Sequence, residues 1–218
     1  MLTEIEHIVS VENIALVVLG YPLSYVELVG TILYLWSVWL ISKRRILTWP
    51  IGIVSVLLYM ALFYQIRLYS DTLEQIYYLG ASVYGWRKWN QSPQKKGQIT
   101  DVIYSSRRAI IAWIALTVVI SAGTGLLMSR VHLWLPSIFP ESASFPYLDA
   151  LTTIMSFVAM WLMAQKKIES WFYWIIVDVI GIWLYFEKDV RFVSLLYVIL
   201  LFLAINGLRM WRKAVQIK

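Results

Sequence analysis

The 218-residue chain is 60% hydrophobic and 15% charged, where ordinary soluble domains carry about 25% charged residues. That leaves too little polar surface for a water-soluble globule of this size. The absence of Cys removes disulfides, thiolate metal sites and cysteine nucleophiles. The formal charge of +6 sits on the flanks of apolar segments, as in membrane proteins, and not in a nucleic-acid-binding patch.

Residues 1–24 open the chain with Glu4, Glu6 and Glu12 and no Lys or Arg, so they lack the basic start of a secretory signal. Ile14 to Leu19 is too short to span a bilayer; it reads either as a lid or interfacial segment or as part of a polar tail. Seven apolar stretches follow: Tyr25 to Ile41, Trp49 to Ile66, Thr72 to Trp86, Ile110 to Met128, Leu148 to Ala164, Trp171 to Phe186 and Phe192 to Trp211. Each is near the length of about 20 helical residues that a hydrocarbon core requires. Backbone groups in lipid must be satisfied within a segment, and the period-two alternation of a barrel is missing, so an all-α integral membrane fold with seven transmembrane helices is predicted. His7 and His132 lie outside every long apolar run, so no His-ligated cofactor, and no cofactor of any kind, is expected.

Of the 19 Lys and Arg, only Arg67, Arg130, Lys188 and Arg191 fall on one side of the predicted spans. The other side holds Lys43, Arg44, Arg45, Arg87, Lys88, Lys95, Lys96, Arg107, Arg108, Lys166, Lys167, Arg209, Arg212, Lys213 and Lys218. The basic side is read as cytoplasmic, which puts the N-terminus outside and the C-terminus inside a multi-pass cell-membrane protein.

Sliding the chain by 122 residues aligns 25–89 with 147–211 without a gap and with 14 identities in 65 positions. Tyr25/Tyr147, Trp39/Trp161, Trp49/Trp171, Gly85/Gly207, Arg87/Arg209 and Trp89/Trp211 are among them. The predicted organisation is an N-terminal segment (1–24), a three-helix repeat (25–89), a linker carrying the fourth span (90–146), a second repeat (147–211) and a short tail (212–218). Three crossings end on the opposite side from where they start, so the extra span returns the chain and makes the repeats parallel, in a 3+1+3 order. Parallel repeats occur in transporters with a midplane site between the halves, although duplication also serves merely to build a stable bundle.

Ionisable groups inside spans are expensive, about 2.5 to 3.5 kcal/mol on insertion scales, and mark function by default. Helical spacing places Trp171, Trp174, Asp178, Gly181 and Tyr185 on one face. Two indoles and a carboxylate suit a flat organic cation, through ring stacking and counter-charge. Trp171, at the helix start, fits an interfacial belt equally well. Glu74, Gln75, Tyr78, Ser82 and Gly85 make a second polar face, on which Glu74 could instead cap the helix or face water. Asn206 lies deep enough to bond a ligand or another helix, whereas Glu27 and Asp149 read as structural charges at helix starts. The chain lacks a Walker A loop, an HExxH motif and a Lys deep in a span, which argues against ATP hydrolysis, zinc proteolysis and a retinal Schiff base. It is read as a non-enzyme; the different-class alternative is a seven-helix signalling or scaffold protein.

The run Gln65 to Gln75, the Val83 to Trp89 segment, Glu169 to Trp174 with its WxxW, Ala204 to Trp211 and Glu27 to Thr31 together resemble the PnuC family of vitamin transporters. The resemblance covers about Ser10 to Trp211 and implies a SWEET-like architecture, facilitated diffusion of a small vitamin and trapping by cytoplasmic phosphorylation. It also implies a homotrimer. Carried over residue by residue, it assigns substrate contacts to Trp171, Trp174, Gln75 and Asn206. Nicotinamide riboside is the leading substrate on this basis, with thiamine close behind. Ser82, Glu74 and Asp178 depart from riboside-type sequences by losing amides and gaining acid, which favours a cation without ribose.

Overall fold

A computed structural model describes residues 10–91, 101–137 and 142–216. The chain begins with an antiparallel hairpin, β1 (Ile14–Val18) and β2 (Tyr21–Ser24), followed by seven helices. These are α1 (Tyr25–Ser42), α2 (Thr48–Gln65), α3 (Tyr69–Asn90), α4 (Arg107–Trp134), α5 (Pro146–Ala164), α6 (Ser170–Glu187) and α7 (Arg191–Gln216). All except α3 are long and apolar enough to cross a membrane. In α3 the carboxylates Asp71 and Glu74, the amide Gln75 and the cations Arg87 and Lys88 dilute the apolar residues, so the expected seventh crossing is not met by hydropathy. Lys95, Lys96, Lys218 and residues 1–9 of the N-terminal segment, His7 among them, lie outside the described residues.

The fold is all-helical apart from this short hairpin: Ile14–Val18 forms its first arm and Leu19 begins its turn. Leu19 and Gly20 both take positive φ, 51° and 82°, the geometry of a two-residue hairpin loop whose twist suits paired strands. His132 lies beyond the apolar stretch Ile110 to Met128, in the last turn of α4, which runs on to Trp134.

The hairpin is tied to the helix ends. Ser24 accepts from the Glu27 backbone N–H at 3.3 Å, capping α1. The Tyr21 hydroxyl donates to Glu27 Oε1 at 3.0 Å, and its ring stacks on Phe192 of α7 at 5.3 Å. Burial, and after it the neighbouring Glu27 carboxylate, pushes the Tyr21 phenol up to about 12, so it stays a donor at neutral pH.

Neighbouring helices form a closed ring in the order α1, α2, α3, α5, α6, α7 and back to α1. Helix α4 lies outside this ring on α5, with Trp113 packed on the α5–α6 core and the Thr117 hydroxyl 3.3 Å from that of Tyr173 on α6. The basic ends of the helices close over a cluster containing Trp49, Trp89, Trp171 and Trp211, each no more than 2% exposed. Trp49 meets Trp89 edge-on at 5.3 Å, and Trp171 meets Trp211 edge-on at 5.5 Å. Trp89 Nε1 donates to the Ala164 carbonyl at 3.1 Å, and Trp211 Nε1 to the Ile41 carbonyl at 3.0 Å. Between lipid-embedded helices water exclusion supplies little attraction, so such close packing and shared hydrogen bonds hold the ends together.

The turns repeat too. Arg44 and Lys166 adopt left-handed φ of 58° and 65° after α1 and α5, and Arg67 and Asp189 do so at 61° and 56° after α2 and α6. At each the backbone N–H returns to a carbonyl of the last helical turn, the usual way to satisfy a helix end.

Candidate functional site

The site is built around Asp178. It lies mid-way along α6, is 3% exposed, and receives no hydrogen bond or ion pair from the described residues. A carboxylate buried this way lacks the compensation that other buried polar groups find. One turn further along α6, Gly181 leaves room for the Tyr197 ring of α7; a Cβ there would sit 2.6 Å from that ring. Tyr197 in turn stacks on Tyr185 at 5.3 Å.

The other half of the ring supplies tyrosines to the same place. Tyr34 of α1 lies within electrostatic reach of Asp178 and Tyr59, and Tyr197 within reach of Tyr34, Tyr78 and Asp178. Tyr59 is anchored by its hydroxyl, 2.7 Å from Thr31 Oγ1. Tyr78 of α3 has the Phe157 ring edge-on at 5.9 Å. These tyrosines are half-buried, each retaining some accessible surface. Toward the hairpin end, Glu74 accepts from Thr153 Oγ1 at 3.1 Å. Tyr185 there lies within reach of Asp71, Asp149 and Glu74, and Asp149 pairs with Lys188 at 3.3 Å.

The predicted residues are therefore distributed unevenly. Asp178, Glu74 and Tyr78 belong to this polar interior. Trp174 is half-buried, one turn from Asp178 on the side of the basic end, and packs on both apolar clusters. Gln75 is half-buried on α3, and Ser82 is buried one turn from Tyr78. Trp171 sits in the four-indole cluster seven residues, or about 10 Å of helix, from Asp178, with its ring against Gly207. Asn206 is exposed, donates to Met210 Sδ at 3.7 Å, and lies nine residues, or about 13 Å, along α7 from Tyr197.

Tyr34, Tyr59 and Tyr197 were not singled out by the sequence reading. Their signal is asymmetry in the 122-residue self-alignment of the sequence, where Tyr34 aligns with Ser156, Tyr59 with Gly181, and Tyr197 with Gln75. Glu27 and Asp149 have the structural partners their positions imply, Tyr21 and Lys188. No group of His, Asp or Glu among the described residues has metal-binding geometry. The chemistry available is recognition: a buried acid and phenol hydroxyls from both sides of the ring, with an indole one helical turn away, a set that suits a cationic ring bearing hydroxyl groups.

Comparison with known proteins places this architecture. The family model described as nicotinamide mononucleotide transporter matches residues 24–213. The nicotinamide riboside transporter PnuC of Escherichia coli (strain K12) is 33% identical over 88% of this chain and 87% of its own. The riboflavin/roseoflavin transporter RibM of Streptomyces davaonensis is 29% identical over 90% of this chain and 89% of its own. The crystal structure of the vitamin B3 transporter PnuC superposes with a TM-score of 0.66 at 22% identity, covering 86% of this chain and 80% of that one. By the span of the family match and by this kinship, the chain belongs to the PnuC-type nicotinamide mononucleotide transporter family.

Proposed function

We propose that this protein carries nicotinamide riboside across the bacterial cell membrane by facilitated diffusion. The observation that carries the reading is the unpartnered Asp178 carboxylate, buried where tyrosines from both halves of the helix ring converge. A pyridinium riboside brings the missing positive charge on a flat ring, with hydroxyls that the phenols can bond. Relatives from several bacteria carry the riboside transporter name, which favours the riboside over thiamine.

Seven crossings complete this reading. Helix α3 is held in the ring between α2 and α5, so its polar residues need not meet lipid. The 3+1+3 parallel, SWEET-like arrangement is supported by features that recur 122 residues apart. The Trp49 ring lies against Gly85 as Trp171 lies against Gly207, and left-handed residues recur at 44/166 and 67/189. The indole bonds Trp89–Ala164 and Trp211–Ile41 join the repeats in a near-reciprocal way, with the basic ends together. With those ends cytoplasmic, the N-terminus lies outside and the C-terminus inside. The assembly is a homotrimer, as the resemblance implies; light scattering giving one or two chain masses removes that assignment.

The test is uptake of labelled riboside into proteoliposomes. Without ATP or an ion gradient, uptake is expected to saturate when internal and external concentrations match, and thiamine to compete weakly. Accumulation above the external concentration in such vesicles refutes facilitated diffusion, and stronger transport of thiamine refutes the riboside assignment.

A further inference from the structure

The segment between α3 and α4 is held on the basic end of the ring in a way that transport by two repeats does not require. Ile103 pairs with the α5–α6 turn as a parallel bridge, its N–H donating to the Lys166 carbonyl at 3.0 Å and its carbonyl accepting from the Ile168 N–H at 3.1 Å. Glu169, 7% exposed, accepts from the Ser105 N–H at 2.8 Å through Oε1 and from the Ser105 hydroxyl at 3.3 Å through Oε2. Val102, 3% exposed, belongs to the four-indole cluster. Asp101 acts electrostatically on both Arg44 of the first repeat and Lys166 of the second, the matched left-handed residues of the two turns. Burial lowers the pKa of both cations; Asp101 opposes this in each, while Lys88 adds to it at Lys166.

The attachment is one-sided. Where the second repeat has Glu169, the first has Leu47, which offers no acceptor for a strap of this kind. The segment is bonded through its backbone to the second half and reaches the first half through the charge of Asp101 on Arg44, with Val102 in the cluster that both halves build. A piece fastened to one body and touching the other at the point where both close is a clasp.

We propose that residues 101–106 are a clasp that holds the basic-end gate of the transporter shut, the gate being the four-indole cluster, with Asp101 and Glu169 as its positioning residues. The proposal rests on the transport reading. In the closed state the two halves are joined by the Trp89–Ala164 and Trp211–Ile41 bonds with Val102 beside them. Opening separates those bonds and draws Asp101 away from Arg44, while the Ile103 bridge and Glu169 keep the clasp on the second half. Strengthening the Asp101 contact closes the gate, and removing it shifts the population toward the open state.

The chain has no Cys, so a single Ser42→Cys reporter can be labelled without background. Ser42 is fully buried beside Ile41, at the closed end. In lipid nanodiscs without substrate, a water-soluble maleimide is expected to label Ser42→Cys slowly. Asp101→Asn and, separately, Glu169→Gln are expected to raise the rate about tenfold, the population shift that follows loss of one charge-assisted bond. Asp101→Glu, which keeps the charge, is expected to leave labelling slow. Misfolding is separated from opening by requiring an unchanged melting temperature and unchanged slow labelling of a Val177→Cys reporter in the α5–α6 core.

Equal Ser42→Cys labelling in all folded variants overturns the clasp, whatever riboside uptake shows. Faster labelling with no riboside uptake by the unsubstituted protein keeps the clasp as a closure of this end and removes the transport reading.

Discussion

Replacing Asp178 by Asn is expected to weaken binding of nicotinamide riboside about 10- to 100-fold, the range that follows from losing about 1.5 to 3 kcal/mol of charge-assisted interaction. The substitution keeps side-chain volume and changes only the charge presented toward Tyr34 and Tyr197. A dihydronicotinamide riboside, which has the same sugar but a neutral ring, is the control. Its affinity is expected to change little, because an amide satisfies a neutral ligand about as well as a carboxylate does. Trp174→Ala, measured in the same titration, is expected to cost both ligands a smaller amount, about 0.5 to 2 kcal/mol of stacking and cation–π contact. Calorimetry showing equal losses for the charged and the neutral riboside in Asp178→Asn would assign the acid a structural role. The same variant is expected to melt higher than the parent, since an unpartnered buried carboxylate destabilises the empty protein. Function and stability pull in opposite directions at this residue.

The second large effect is expected at Gly207. A Cβ there would fall 2.5 Å from the Trp171 ring, which is 1% exposed and pinned edge-on against Trp211. The ring cannot retreat without disturbing the Trp211 bond to Ile41. Gly207→Ala is therefore expected to destabilise the protein by about 1 to 3 kcal/mol, the usual cost of overpacking a filled core. Gly85→Ala, whose Cβ would overlap Trp49, is expected to behave alike. Gly80→Ala is the contrast: nothing lies within 4 Å of its Cβ position, and Ala is the better helix former, so stability should hold or rise. Thermal unfolding in detergent distinguishes these cases, and a Gly207→Ala melt equal to that of the parent would show that the indole cluster is loosely packed.

The helices were legible because lipid leaves the chain few options. Apolar runs with Lys and Arg on their flanks mark the spans, and the observed helices contain or nearly match each run, with α3, α4 and α7 extending beyond the predicted C-terminal ends to Asn90, Trp134 and Gln216. The hairpin was less legible, because four apolar residues at Ala15 to Val18 give no alternation and its signal is confined to the turn at Gly20. Within the site, Asp178 announced itself by being an acid in a span. Trp171 and Trp174 are indistinguishable in sequence, three residues apart in one motif, yet one packs into the end cluster and the other lies a turn from the acid. That difference is set by Gly207 on a helix 36 residues downstream. Tyr34, Tyr59 and Tyr197 were hidden because a single phenol in an apolar helix looks like packing. Comparing the chain with itself at an offset of 122 residues exposes them, because their partners in that alignment, Ser156, Gly181 and Gln75, are not tyrosines.

Helix α4 supplies a last consequence. It contacts α5 and, through Thr117, α6, so on the transport reading proposed above it moves with α5–α7, together with the 101–106 segment. The mass on either side of the dividing plane is thus unequal. One partner is broadened by an extra rod whose outward side chains, Ile111, Val118 and Val119, are 57% to 70% exposed. Viscous drag from surrounding acyl chains resists displacement of that wider partner more strongly. On that reading the narrower trio α1–α3 becomes the swinging leaf, and the span that once only turned the chain around acts as the door frame.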